Sequence, residues 1–214
     1  MTPTSCHNCQ SQNLEKLSFS DNFQRITSDA KSNDFNSPIV HCRSCNLVQT
    51  LVNSEWQRNI EAIYSAYEIY HQANGSEQKV FAPCGGVGTI RSETILNNIL
   101  KQVLLPEKGN LLDIGCGTGS FLSFMNKKGF DVFGVESNIK ARKICLERNI
   151  GVQSTELELA PASFDTISLW HVLEHLPHPE SSLATYRALL KPSGLLVVAV
   201  PNFESHDRIY YQQD

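Results

Sequence analysis

The stretch Leu111-Leu112-Asp113-Ile114-Gly115-Cys116-Gly117-Thr118-Gly119-Ser120 decides the fold. Leu111–Ile114 is a short apolar run of strand character, Ser120 opens a segment of helical spacing, and three glycines at alternate positions lie between them. Glycines at such a turn permit a tight bend and let a ligand approach main-chain N–H groups at the helix N-terminus. The dinucleotide fingerprint Gly-x-Gly-x-x-Gly is not met, because its sixth position is Ser120. Asp113, two residues before the first glycine, shifts the expected ligand: a carboxylate there suits a cationic group and repels a pyrophosphate.

Outward from this loop, short apolar runs alternate with helical patterns, which predicts a parallel sheet with crossover helices. Strands are expected at Leu111–Ile114, Asp131–Val135, about Gly151–Thr155, Phe164–Trp170 and Leu195–Val200, and helices at Ser120–Lys128, Asn138–Asn149 and Pro179–Lys191. Gly129 and Gly151 read as helix stops, and Pro192-Ser193-Gly194 as a turn into the last strand. The expected class is α/β, a Rossmann-like doubly wound sheet. In such a sheet the ends of neighbouring strands open into one crevice. Glu136 closes the second strand there, and its two oxygens match the vicinal hydroxyls of a ribose.

With these residues in view, Leu111 to Asn202 resembles the class I S-adenosylmethionine-dependent methyltransferases. The resemblance is carried by Leu111–Gly119, by Gly134-Val135-Glu136, by Phe164-Asp165-Thr166-Ile167 and by Leu189-Leu190-Lys191-Pro192-Ser193-Gly194-Leu195-Leu196. It implies that Asp113 and the loop Gly115, Cys116, Gly117, Gly119 hold the methionine moiety and that Glu136 holds the ribose. It places adenine at the turn after the third strand, where Gln153 stands at the position of an acid in many relatives and Glu156 is close by. Cys116 reads as a small residue filling a tight loop, with a thiol that need not react.

The fourth strand runs into Trp170-His171-Val172-Leu173-Glu174-His175-Leu176-Pro177-His178. His171, Glu174 and His175 have the spacing of an inverted zinc-protease motif, but Pro177 follows too soon for a ligand helix. The resemblance makes His171 a neighbour of the methionine moiety and His175 a candidate general base, since imidazole takes a hydroxyl proton near neutral pH. A structural role in packing or capping this turn fits the same two residues equally well.

At the other end, Cys6-His7-Asn8-Cys9 and Cys42-Arg43-Ser44-Cys45 are two Cys-x-x-Cys knuckles separated by 32 residues. Four thiolates at that spacing close a tetrahedral site for a structural zinc and leave no position for water. Residues 1–50 hold few aliphatic side chains and need such a staple to order. His7 and His41 flank the ligands as bystanders. The expected organisation is a zinc-ribbon-like module at 1–50, a helical linker or lid at 51–109, and the cofactor-binding sheet at 110–214. Within the linker, Ser54 and Gln57 read as a capping box opening a helix to about Ala73, 74–89 as a loop, and Ser92–Leu104 as a second helix. The helix bearing Tyr64, Tyr67, Tyr70 and His71 would form part of an acceptor lid, although tyrosine at helical spacing more often serves packing.

The 214 residues suffice for one α/β domain and a small appendage, and with 41% hydrophobic and 19% charged residues the chain is not of a disordered type. The N-terminus lacks a basic and an apolar signal region and no apolar run approaches membrane length, so a soluble cytoplasmic protein with reduced cysteines is expected. The function expected is methyl transfer from S-adenosylmethionine to a small molecule, such as a sugar or nucleotide-linked sugar. RNA is the rival acceptor, but in residues 1–60 Lys16, Arg25, Lys31, Arg43 and Arg58 balance Glu15, Asp21, Asp29, Asp34 and Glu55, and the net charge is −4. That offers phosphates no platform, and no nucleic-acid partner is expected. A third reading is a cofactor-binding module without turnover. It rests on Asp214, beyond which relatives add a helix and two strands; Leu195–Val200 would then be an edge strand open to self-association.

Overall fold

The structure is a computed structural model and describes residues 5–17, 25–26, 32–33, 38–66, 79–80, 87–90, 93–94, 97 and 108–205. The chain divides into two compact units: Met1–Tyr67 with Glu174–Ser182 and Pro201–Asp214, and Glu68–Leu173 with Leu183–Val200.

In the first unit β1 (Leu14–Lys16), β2 (Ile39–Cys42) and β3 (Val48–Thr50) form an antiparallel sheet in the order β1-β2-β3. Leu14 pairs with Cys42 and His41 with Val48, so the second knuckle is the turn between β2 and β3. Arg25–Ile26 pairs antiparallel with Ser32–Asn33. Helix α1 (Ser54–Ala66) is capped one residue earlier than the sequence suggested: Asn53 Oδ1 accepts the Trp56 N–H at 2.7 Å, which makes Asn53 the cap. Asparagine fills this role as well as serine, and a Ser54 hydroxyl already inside the first turn cannot. Trp56 is buried and Ile60 and Ile63 are half-buried at helical spacing.

The second unit is built on five parallel strands, β4 (Asn110–Ile114), β5 (Asp131–Val135), β6 (Gly151–Gln153), β7 (Phe164–Trp170) and β8 (Leu190–Ala199), in the order β6-β5-β4-β7-β8. The reversal of direction beside β4 is the switch point at which such sheets bind ligands. Helices α2 (Ser120–Lys127) and α3 (Ile139–Glu147) cross between the first three strands, and α4 (Pro179–Leu189) leads into β8. Central β4 is buried from Leu111 to Ile114, as a strand covered on both faces must be. Against it pack Phe121, Leu122 and Met125 of α2, Phe130, Cys145 of α3 and Ile150.

Three local expectations are corrected. The stop after α3 is Asn149, with φ +58, not Gly151, because asparagine tolerates the left-handed conformation and Gly151 already begins β6. Pro192-Ser193-Gly194 is not a turn outside the sheet: β8 starts at Leu190, opposite Phe164, and pairing resumes at Leu195 opposite Thr166, with Ser193 at φ +64 absorbing the extra residues as an irregularity. Within 74–89, read as a loop, Lys79–Val80 pairs with Thr89–Ile90. Tyr67, Tyr70 and His71 lie outside the described residues, as do most of Ser92–Leu104 and the continuation of α1 towards Ala73. Among the described residues β8 is the last strand on its side of the sheet, and no helix is long and apolar enough to cross a membrane.

At the N-terminal ends of the strands, Asp165 accepts from the Asn110 N–H at 2.8 Å and pairs with Lys191 Nζ at 2.7 Å. The Lys191 ammonium and the Asn110 N–H hold its carboxyl below the usual value.

Candidate functional site

At the opposite ends of β4 and β5 the register sets Asp113 beside Gly134 and Ile114 beside Val135, so Gly115 and Glu136 leave the sheet side by side. The N–H groups of Gly115 and Cys116 both donate to Val135 O, at 2.7 and 3.1 Å. Gly115, Gly117 and Gly119 have φ of +69, +55 and +74, a left-handed alternation that side chains other than glycine resist. Gly115 is doubly constrained, because a Cβ there would meet Val172 Cγ2 at 2.5 Å. The segment leaving β7 thus closes directly over the first glycine.

Glu136 is buried and its carboxylate bridges two main-chain turns. Oε2 accepts the Gly117 N–H at 2.9 Å and Oε1 accepts the Asn138 N–H at 2.7 Å. Ser137 Oγ adds a longer bond to Oε1 at 3.4 Å; an ionised carboxylate accepts about four hydrogen bonds, so acceptor capacity remains on Oε2, and a ligand hydroxyl replacing the long Ser137 contact would free a second position. Asn138 also caps α3, its Oδ1 accepting from Lys140 N and Ala141 N. Asp113 is 2% exposed, and Ser168 Oγ, its neighbour across β7, donates to Asp113 Oδ1 at 2.6 Å.

Cys116 takes its place in the loop but turns its thiol into the core, where Sγ lies 2.5 Å from the Cβ position of Gly134. The Cys145 thiol beside it and burial push the Cys116 thiol up, so it stays protonated. At the end of β6, Gln153 O accepts the Glu136 N–H at 3.0 Å, and the Gln153 amide donates to Thr155 O across the turn. Glu156 O accepts from Leu159 N in the same turn.

The chain leaves β7 at His171, whose φ of +56 is unusual for a side chain of its size, and the His171 N–H donates to Ala199 O at 2.9 Å. A short 3-10 turn spans Leu173–His175. Within the first unit, Glu174 Oε1 lies 3.9 Å from His175 Nε2, and burial pushes the Glu174 carboxyl up.

Also in the first unit, Cys6, Cys9, Cys42 and Cys45 bring their sulfurs within 4.8 Å of one another, the only such group of potential metal ligands among the described residues. The two knuckles share one conformation. Cys6 O accepts from Gln10 N at 2.9 Å and Cys42 O from Asn46 N at 2.8 Å, while Gln10 and Asn46 have φ of +59 and +65. Main-chain N–H groups aim at the sulfurs, and the Leu47 N–H holds the Cys45 thiol down at about 6. His7 stays out of the cluster: its N–H donates to Gln49 Oε1 and its Nδ1 lies 3.4 Å from Glu180 Oε2.

Sequence reasoning missed Ser168, Asn138, Arg142, Cys145 and Arg148. Ser168 carried a signal, a hydroxyl inside the apolar run Phe164–Trp170. The donors of α3 carried none, because they serve main-chain carbonyls.

The family pattern described as Methyltransferase domain matches residues 88–213. Among curated proteins, the ubiquinone biosynthesis O-methyltransferase of Paracidovorax citrulli is 34% identical over 112 residues, covering 46% of this chain and 47% of that protein. The protein of the same name from Coxiella burnetii is 34% identical over 116 residues, covering 50% of this chain and 49% of its own. The chain thus spans about half the length of the curated relatives it matches. A solved SAM-dependent methyltransferase from Thermotoga maritima aligns with a TM-score of 0.46 and 28% identity over 54% of this chain and 55% of that one.

Proposed function

Because the chain belongs to the methyltransferase-domain family through residues 88–213, we propose that it transfers a methyl group from S-adenosylmethionine to a small-molecule acceptor. One observation carries the reading: the Glu136 carboxylate is fixed by the Gly117 N–H at the switch point, beside a loop whose alternating left-handed glycines leave room for a ligand against the main chain. When bound, the cofactor supplies a methyl group on a sulfonium, which departs as a neutral thioether.

In this proposal Glu136 accepts from both ribose hydroxyls, and the loop Gly115–Gly119 with Asp113 receives the methionine end. The turn Gln153–Glu156 borders adenine. Asp113 acts through the field of a buried carboxylate held by Ser168, which favours a cationic ligand. The chain's main tasks are to hold donor and acceptor in line and to exclude water. The matched relatives are named O-methyltransferases, which favours a hydroxyl acceptor, and a sugar, nucleotide-linked sugar or similar metabolite is the class we infer. Such an acceptor needs a base, and His175, with His171 at the turn, is the candidate.

A structural zinc in the four-cysteine site belongs to the same proposal. Tetrahedral sulfurs at about 2.3 Å from zinc stand about 3.8 Å apart. The pairs Cys6–Cys45 and Cys9–Cys42, at 3.5 and 3.6 Å, suit that size. The segments 1–50, 51–109 and 110–214 then serve as metal module, linker or lid, and cofactor domain, with self-association along β8, the last strand on its side of the sheet among the described residues.

Calorimetry with S-adenosylmethionine and S-adenosylhomocysteine tests the reading, followed by labelled methyl transfer to a panel of hydroxylated metabolites. Glu136→Gln keeps an acceptor but removes its charge, and weakens binding by about 1–3 kcal/mol. Tighter binding of NAD than of either adenosyl compound would sink the reading.

A further inference from the structure

Helix α3 carries Arg142, Cys145 and Arg148 at three-residue spacing, the last as its C-cap, and each ends on a main-chain oxygen of the crevice. Arg142 Nη1 donates to Glu136 O and Ser137 O, both at 2.7 Å. The Cys145 thiol donates to Gly117 O at 3.2 Å. Arg148 Nη1 donates to Thr118 O at 2.7 Å and to Ser120 Oγ at 3.2 Å. One face of one helix therefore grips both halves of the site, the glycine loop and the strand end that bears Glu136.

The loop needs such a grip. Glycine has more backbone freedom to lose than any other residue, and a loop with glycine at every second position has few side chains to pin it. Its left-handed glycines donate their N–H groups to Val135 O, Glu136 Oε2 and Cys116 O, bonds that last only while each partner keeps its place. A guanidinium donating to a carbonyl is a charge-assisted bond, stronger than a neutral one. It acts on the main chain, so it fixes loop shape without occupying the space a ligand would take.

We infer that Arg142 and Arg148 are positioning residues that hold the glycine loop and Glu136 in the arrangement that receives the adenosyl cofactor. The inference rests on the reading of this crevice as the S-adenosylmethionine site. Both arginines keep contact with water, Arg148 most of all, so their effect falls on the ordering of the loop more than on the stability of the sheet.

The test is calorimetric titration of S-adenosylhomocysteine into the full chain and its Arg148→Met, Arg148→Lys and Lys143→Met variants, with apo melting temperatures measured in parallel. Lys143 is exposed on the same helix and has no place in the site. Arg148→Met should bind about tenfold more weakly, the scale of one charge-assisted hydrogen bond in water-accessible surroundings. Arg148→Lys should recover part of the loss, Lys143→Met should bind as the parent does, and the apo melting temperatures should agree. In turnover, the cofactor KM should rise while kcat at saturation holds. Parental affinity in Arg148→Met, or an equal loss in Lys143→Met, overturns the inference. Should Arg148→Met fail to fold, Arg148→Lys and Arg142→Lys decide the matter, and parental affinity in both overturns it. A parent chain that takes up no S-adenosylhomocysteine overturns the functional reading instead, an outcome distinct from equal binding by parent and variant.

Discussion

The two units order themselves by opposite means. In the first, the strands of the three-stranded sheet are three, four and three residues long, and two cysteines, Cys6 and Cys42, are among the few fully buried side chains of its described residues. Strands this short do not make a sheet that stands alone. In the second, Leu111, Leu112, Leu122, Met125, Ile167 and Leu169 are all at most 1% exposed and surround a central strand. Order in the sheet comes from apolar burial; around the knuckles, the proposed zinc on the four sulfurs would supply it. The difference teaches where each unit should be vulnerable, to loss of the proposed zinc in one and to cavities in the other.

The contrast is broken most severely at Cys42. Cys42→Ser removes one of the four thiolates of the proposed zinc site; structural zinc sites of this kind contribute about 10 kcal/mol or more, and the variant should be purified with well under one equivalent of zinc. Hydrogen exchange should then show loss of protection at Leu14–Lys16 and Ile39–Thr50, with protection from β4 to β8 retained. Full protection of the first unit without metal would show that it orders itself.

Leu112→Ala is the converse. Leu112 is completely buried, and the cavity should cost the sheet about 2–5 kcal/mol in urea unfolding while zinc content stays at the parental level. A parallel loss of zinc would mean that the two units do not order independently.

The smallest effect is expected at Asp165→Asn. The Asp165 carboxyl lies below its ordinary value of 3.8, so its contribution to stability is present above that pH and is lost as the pH falls through the lowered folded value. With Lys191 39% and Asp165 29% exposed, the loss at neutral pH should be about 1 kcal/mol or less. It should shrink on acidification; a parent–variant difference in melting temperature that grows at low pH would contradict this assignment.

Much of this was legible in the chain because it depends on local pattern. The strands Asp131–Val135 and Phe164–Trp170 run as their apolar sequences say, and the glycine loop falls at a strand-to-helix junction. The errors fall where chemically similar residues compete for one role: Asn53 against Ser54 as cap, Asn149 against Gly151 as stop. Either residue satisfies the backbone, and only the geometry chooses. Pro192-Ser193-Gly194 looked like a turn because its residues favour one, yet strand pairing with β7 continues on both sides of it. In the site, the carboxylates and glycines announced themselves by type. The donors from α3 did not, since a carbonyl has no sequence identity.

Trp170 ends β7 with its ring edge-on to Phe121, at 5.1 Å between centroids, and its Nε1 is buried without a hydrogen-bond partner among the described residues. An indole in that state emits at shorter wavelength than one bonded to water. The chain has two tryptophans, and the other, Trp56, is buried in the first unit. Each unit therefore carries its own fluorophore. Trp56→Phe leaves a native optical reporter one residue from His171, and Trp170→Phe leaves one that follows the knuckle unit alone, so the melting of each can be recorded in the same cuvette without a label.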